Sequence, residues 1–163
     1  MIKQFTIACL FLISCTAISQ NTIRLNDPVP DFKLWLLDGT RINQNDTKGK
    51  VIVFKFWFSS CIPCLTDIPS LNTLAKSFEG RDDVLFIAPS LDRKPVIDKL
   101  LKKHPFNFKI AFSASDVSTK FNVKAYPSYF IVDKKGYFSY IDSSVKMFKI
   151  ENLEKAIVAA LKM

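Results

Sequence analysis

The chain of 163 residues contains a single histidine, His104, and only four glycines. Structural zinc takes four ligands, usually a second Cys-x-x-Cys or two histidines, so one histidine and one close cysteine pair argue against a zinc site. His104 follows Lys102 and Lys103 at an expected helix end and reads as a surface residue near a helix C-terminus. Scarce glycine, no low-complexity run and charges scattered along the chain exclude fibrous and disordered classes. The apolar stretch near the start falls short of the roughly 20 residues of a membrane span, and nothing later comes close, so no permanent span is expected. No Arg-rich helix or basic segment interleaved with aromatics accompanies the net charge of +8. Lys48, Lys50, Lys99, Lys102, Lys103, Lys134 and Lys135 are spread out, which fits a solvated surface attracted to anionic membranes rather than a nucleic-acid binder.

What is present is a 48% hydrophobic chain of one-domain size, with no internal repeat or interdomain linker. Its opening, MIKQFTIACLFLISCTAISQ, has a basic Lys3, an apolar stretch from Phe5 to Ile13 and small polar residues after it, the layout of a secretory signal. Two processing routes compete. Ala17, Ile18 and Ser19 form a small-x-small cleavage site before Gln20, which makes residues 1–19 the signal and 20–163 the domain. Leu12 to Cys15 instead reads as a lipobox, with a signal of residues 1–14 and a lipid anchor on Cys15; the first route is favoured. Either predicts export to the periplasm, with the second fixing the chain to the membrane. A buried N-terminal helix is disfavoured because the segment has no polar outer face.

Cys9 and Cys15 therefore belong to the signal, and the domain keeps Cys61 and Cys64, within KFWFSSCIPCLTDIPSLN. As a staple this pair is poor, because so short a ring removes little entropy from the unfolded chain. In an oxidising compartment it forms a disulfide unless something reduces it.

The surrounding pattern alternates strands and helices. DFKLWLLDGTRIN is apolar-polar around Asp38-Gly39, a hairpin signal. KVIVFKFWF is an apolar run suited to a strand buried on both faces, with Lys55 its one misfit. Apolar residues from Ile62 to Phe78 recur at threes and fours, predicting a helix capped by Ser59 or Ser60, with Pro63 tolerated in its first turn and Pro69 kinking it. VLFIAPSL and FNFKIAFS predict strands, KPVIDKLLKK a helix, and Val117 to Phe121 a short helix. SYFIVD and YFSYID predict a second hairpin around Lys134-Lys135-Gly136, and IENLEKAIVAAL a closing amphipathic helix. The fold class is α/β, a central mixed sheet flanked by helices with an N-terminal hairpin.

Cysteines at a helix start have a chemical logic. First-turn N–H groups and the helix dipole lower the pKa of the N-terminal thiol, making Cys61 the nucleophile. Cys64, one turn along and facing inward, attacks the mixed disulfide and closes the ring. Two cysteines complete this cycle, with no cofactor and no metal.

DPVPDFKLWLLDG, KGKVIVFKFWFSSCIPCLTDIPSLN and NVKAYPSYFIVDKKG together resemble the TlpA/ResA-like branch of the thioredoxin superfamily, related to the AhpC/TSA redoxins, over nearly all of the mature chain. The Phe-Trp-x-x-x-Cys-x-Pro-Cys and Tyr-Pro-Ser blocks carry the resemblance. It implies a thioredoxin fold and an exported thiol-disulfide oxidoreductase acting on protein disulfides, recharged by a membrane or periplasmic thiol donor. It makes Pro127 a cis-proline facing the cysteines, with the Tyr126 backbone toward substrate, and gives Trp57, Pro63 and Asp67 supporting places. Ser60 stands where many members have Trp. Lys55 stands where thioredoxins bury an Asp, and Asp67 stands for a Glu that could assist the inner thiol; otherwise it is an acidic residue favouring the helix dipole.

A peroxiredoxin-like thiol peroxidase is the runner-up, sharing the fold and hairpin, but its Pro-x-x-x-Thr-x-x-Cys motif is missing. A copper-chaperone module is disfavoured by the two-residue spacing and the lack of a site histidine. Ile62 and Pro63 carry no charge or side-chain donor, so the Cys61 thiolate lacks the added stabilisation found in strong oxidants. A reduction potential near or below about −250 mV follows.

Overall fold

The structure is a computed structural model that describes residues 22–143 and 148–163. The signal segment, with Cys9 and Cys15, lies outside the described residues.

The Asp38-Gly39 turn joins β1 (Lys33–Leu36) to β2 (Arg41–Asn43) as an antiparallel hairpin. Gly39 takes φ +86°, a left-handed value that side chains resist, and Asp38 Oδ1 accepts from the Thr40 N–H at 2.8 Å. The apolar run forms β3 (Val51–Phe56), buried along its whole length. It pairs parallel with β4 (Val84–Pro89) and antiparallel with β6 (Ser128–Val132). β5 (Lys109–Phe112) runs parallel to β4 and antiparallel to β1, and β7 (Phe138–Asp142) closes the other edge against β6. Among the described residues the sheet has seven strands, in the order β2-β1-β5-β4-β3-β6-β7.

Successive residues of β3 point to opposite faces, so this strand feeds two cores. Ile52, Phe54 and Phe56 join Phe32, Phe121, Phe130 and Phe138 in a largely aromatic cluster with edge contacts at 5.1 to 6.3 Å, including Phe54 to Phe121 at 5.1 Å and Phe121 to Phe130 at 5.5 Å. Each such ring is worth about 2 kcal/mol in burial alone. Val51, Val53 and Trp57 face the opposite core, which receives Ile68, Leu71 and Leu74 together with Leu153 and Ile157 of a helix at Ile150–Leu161. Lys55 shares the parity of Val53 and Trp57 and so enters this second core.

The expected single helix from Cys61 is two. α1 (Ile62–Thr66) ends at Asp67, and α2 (Ile68–Ser77) begins there. Pro69 has no N–H for the Leu65 carbonyl and its ring crowds that oxygen, so Leu65 O accepts from the Asp67 N–H instead. The expected serine cap is also corrected. Cys61 itself is the N-cap, in an extended conformation (φ −83°, ψ 96°), and its Sγ accepts from the Cys64 N–H at 3.3 Å. Further along come α3 (Lys94–Leu101), α4 (Ser115–Lys120) and the closing α5 (Ile150–Leu161).

Candidate active site

Where β3 ends, the chain crosses to α1 through Trp57–Ser60 and turns Cys61 and Cys64 into the helix start. The two sulfurs are bonded at 2.05 Å, with Cα atoms 5.2 Å apart. Cys61 is 6% exposed and Cys64 is fully buried, whereas Ile62 between them is 71% exposed. The pair therefore meets the surface from the Cys61 side. Pro63 occupies the first turn of α1, where a missing N–H costs nothing.

The crossing loop is fixed from behind. Trp57 is buried, its N–H donates to Pro89 O at 3.2 Å, its Nε1 donates to Ala88 O at 3.3 Å, and its ring meets Phe106 edge-on at 6.0 Å. Asp92, just past β4, accepts the Ser59 N–H on Oδ2 at 2.6 Å, and Cys61 N–H donates to Phe58 O at 3.2 Å. Asp92 was not among the sequence candidates. It lies 33 residues from Ser59, and only the parallel pairing of β3 and β4 brings the two strand ends together.

The same sheet end carries the proline block. Phe56 of β3 is in register with Ser128 of β6, so Tyr126 and Pro127 lie beside the cysteine loop. The Tyr126–Pro127 bond is cis. The Phe58 ring meets Tyr126 edge-on at 5.3 Å, the Tyr126 hydroxyl bonds Ser118 Oγ at 2.5 Å, and Ser128 Oγ donates to Ala125 O at 2.6 Å.

Beneath the inner sulfur sits the misfit of β3. Lys55 has no exposed surface, and its Nζ donates to Cys64 O at 2.6 Å. The break at Asp67 leaves that carbonyl near a helix end, where it needs a donor from elsewhere. Nζ also lies 5.3 Å from the Phe106 ring centre and 5.8 Å from that of Tyr129, within cation–π range. Burial drives the Lys55 pKa down to about 7, opposed by the Asp67 carboxylate. Asp67 makes no side-chain cap bond to α2; its Oδ2 accepts the Tyr129 hydroxyl at 2.5 Å. Tyr129 pairs with Lys55 across β3 and β6, stacks on Phe148 at 4.1 Å, and is held in the protonated form by burial and then by that bond to Asp67. Its participation carried no sequence signal, since a tyrosine in a buried strand reads as core.

His104 is exposed, and its N–H donates to Leu100 O at 3.0 Å past the end of α3. Among the described residues no three His, Cys, Asp or Glu side chains gather into a metal-holding group.

Residues 25–141 match the model of the AhpC/TSA family. The chain is similar to the thioredoxin-like protein YneN of Bacillus subtilis (strain 168), 27% identical over 118 residues that cover 70% of this chain and 68% of that one. It is also similar to the thiol-disulfide oxidoreductase ResA of Geobacillus kaustophilus (strain HTA426), 26% identical over 133 residues, 81% of this chain and 74% of that one. Among solved structures, a Chlorobium tepidum protein assigned as thiol:disulfide interchange protein DsbE superposes with a TM-score of 0.77 at 28% identity, covering 85% of this chain and 99% of its own.

Proposed function

The chain belongs to the AhpC/TSA family and is a TlpA/ResA-like thiol-disulfide oxidoreductase of thioredoxin fold; from that premise we propose that it is exported to the periplasm and reduces disulfides in other proteins. The observation that carries the reading is the Cys61–Cys64 bond at the N-cap of α1, with Cys61 reaching the surface by a 6% edge and Cys64 fully buried. The Cys61 thiolate attacks a substrate disulfide, and the released substrate sulfur leaves as a thiolate. The Cys64 thiolate then attacks Cys61 Sγ, frees the second substrate sulfur and closes the ring. Two electrons pass to the substrate, and a membrane or periplasmic thiol donor restores the dithiol.

Tyr126 and Pro127 bound the substrate side of Cys61, supported by their register with the end of β3 and the Phe58 contact. Trp57 and Pro63 support the loop and the first helical turn. Asp67 assists the inner thiol from below. Residues 1–19 serve as the signal, with cleavage before Gln20, or residues 1–14 with lipid on Cys15, and 20–163 form the working domain. The peroxidase alternative lacks its motif and gains nothing from this geometry.

The test is Cys64→Ser in the full chain. Expressed and exported, it should accumulate mixed disulfides through Cys61 with other proteins, identifiable by mass spectrometry after thiol blocking. Absence of any protein adduct overturns the reductase reading. Redox titration of the wild type against glutathione checks direction: a potential near the oxidant end, about −120 mV, assigns disulfide formation instead.

A further inference from the structure

We propose that Lys55, whose buried Nζ donates to the Cys64 carbonyl, is a positioning residue for the inner thiol whose charge is linked to the redox state of the pair: it takes up a proton when the disulfide is reduced and favours the Cys64 thiolate in return. This deepens the proposed dithiol chemistry and rests on Cys64 being the resolving sulfur.

An ammonium without exposed surface is stable only where opposite charge or strong acceptors surround it. Among the described residues the groups that face Lys55 are few. From α1 there is the Cys64 carbonyl, and from the α1–α2 break there is Asp67. From β6 there is Tyr129, a neutral donor already directed at Asp67, and from the segment after α3 the uncharged ring of Phe106. Behind Tyr129, on β7, lie Tyr140 and Asp142, which act on Tyr129. Among the described residues a single carboxylate, itself shared with Tyr129, thus balances Lys55 while the sulfurs are a neutral disulfide. That balance is near break-even, consistent with the descent of the Lys55 pKa to about 7.

Reduction changes the balance. A dithiol donor delivers two electrons, becoming a disulfide itself, and the Cys61–Cys64 bond opens to one thiolate and one thiol, with one proton taken up on sulfur. The new negative charge develops in the same turn whose carbonyl Lys55 holds. It favours the ammonium, so near neutral pH a further fraction of a proton binds Lys55. By reciprocity the ammonium favours the thiolate, including that of Cys64 when it must attack the mixed disulfide. A carboxylate at this position would accept the thiol proton; a lysine bound to the Cys64 carbonyl acts by its field instead.

The decisive measurement needs no variant. The Lys55 Nζ resonance, followed by NMR with labelled lysine through a pH titration, should have its midpoint near neutrality in the oxidised wild type and at least half a pH unit higher after reduction with dithiothreitol. Equal midpoints in the two redox states overturn the proposal. In a Cys61→Ser background, Lys55→Met should raise the pH midpoint of the Cys64 thiolate absorbance at 240 nm by about one unit, a roughly tenfold loss of thiolate at pH 7, and Lys55→Arg should restore the wild-type midpoint. A Lys55→Met protein that folds, as judged by circular dichroism, and keeps the wild-type midpoint also overturns it; one that does not fold leaves the decision to the NMR titration. Both readouts use the cysteine pair and small reagents, so a failure to reduce protein disulfides would sink the proposed function without touching this result.

Discussion

Tyr129 and Asp67, 62 residues apart in the chain, are joined by a 2.5 Å hydrogen bond from the Tyr129 hydroxyl to Asp67 Oδ2. The bond ties β6 to the break between α1 and α2, and so ties the proline side of the site to the cysteine side. Tyr129→Phe keeps the ring against Phe148 and removes only the donor. A loss of about 1.5–3 kcal/mol in urea unfolding of the oxidised protein is expected, the range for a hydrogen bond to a charged group. Unchanged stability would mean the carboxylate finds an equally good donor.

The buried lysine gives the oxidised protein an unusual pH dependence. Lys55 titrates at about 7 when folded and at its ordinary 10.5 when unfolded. Between these values the unfolded chain binds more protons than the native state, so stability rises with pH. The gain is about 2 kcal/mol from pH 7 to pH 9, at 1.36 kcal/mol per unit. Above pH 10 Tyr129, whose pKa is raised, works in the opposite direction. Chemical denaturation at pH 7, 8 and 9 should show the rise in the wild type and a flat profile in Lys55→Met. An equally steep profile in that variant would assign the effect to another group.

Asp92 holds the loop ahead of Cys61 by accepting the Ser59 N–H, and its Oδ2 also receives the Ser90 hydroxyl at 3.2 Å. Asp92→Ala frees that amide. Hydrogen exchange at Ser59 should accelerate at least tenfold, with about 1–3 kcal/mol lost overall, while Asp92→Asn, which keeps an acceptor, should recover most of both. Wild-type exchange at Ser59 in Asp92→Ala would show that the contacts of Trp57 and Phe58 hold the loop without Asp92.

Trp57 contributes both volume and an N–H to the base of the loop. Trp57→Phe retains most of the packing against Phe106 and loses the bond to Ala88 O, for an expected cost of about 1–3 kcal/mol without a change in urea m-value. A larger loss accompanied by a lower m-value would show that the sheet end itself comes apart.

The central strands were readable as apolar runs bounded by turn residues and the hairpin strands by their apolar-polar alternation, and the two hairpins because Asp38-Gly39 and Lys134-Lys135-Gly136 supply left-handed positions. The cysteine pair and the proline block were readable from spacing and resemblance. The capping of α1 was not: serine is the better N-cap by propensity, yet the turn that directs Cys61 Sγ toward the Cys64 N–H sets Cys61 in that place. Lys55 was visible as an anomaly, but its partner was not. The Cys64 carbonyl lies in the last turn of α1, ahead of the division at Asp67, and local periodicity alone runs straight through that division. Asp92 and Tyr129 reach the site through strand register over 33 and 62 residues, a separation at which sequence pattern carries no signal.

Asp67 separates the remaining effects at this site. Its carboxylate raises the Lys55 pKa against the larger lowering by burial, and its oxygen accepts from Tyr129. Asn at this position keeps an acceptor for the hydroxyl and removes the charge. Lys55 in Asp67→Asn should therefore titrate below about 7, and the rise of stability with pH should begin earlier, with the profile displaced by about half a unit or more toward acid. The pH profile of disulfide reduction should move the same way if the lysine charge supports the Cys64 thiolate, because activity then falls where the ammonium is lost. Two curves measured on one variant thus separate the roles. Displacement of the stability curve alone limits Asp67 to holding Lys55 in the fold. Displacement of both ties that charge to resolution. Displacement of neither removes the Asp67–Lys55 interaction as the source of the pH dependence.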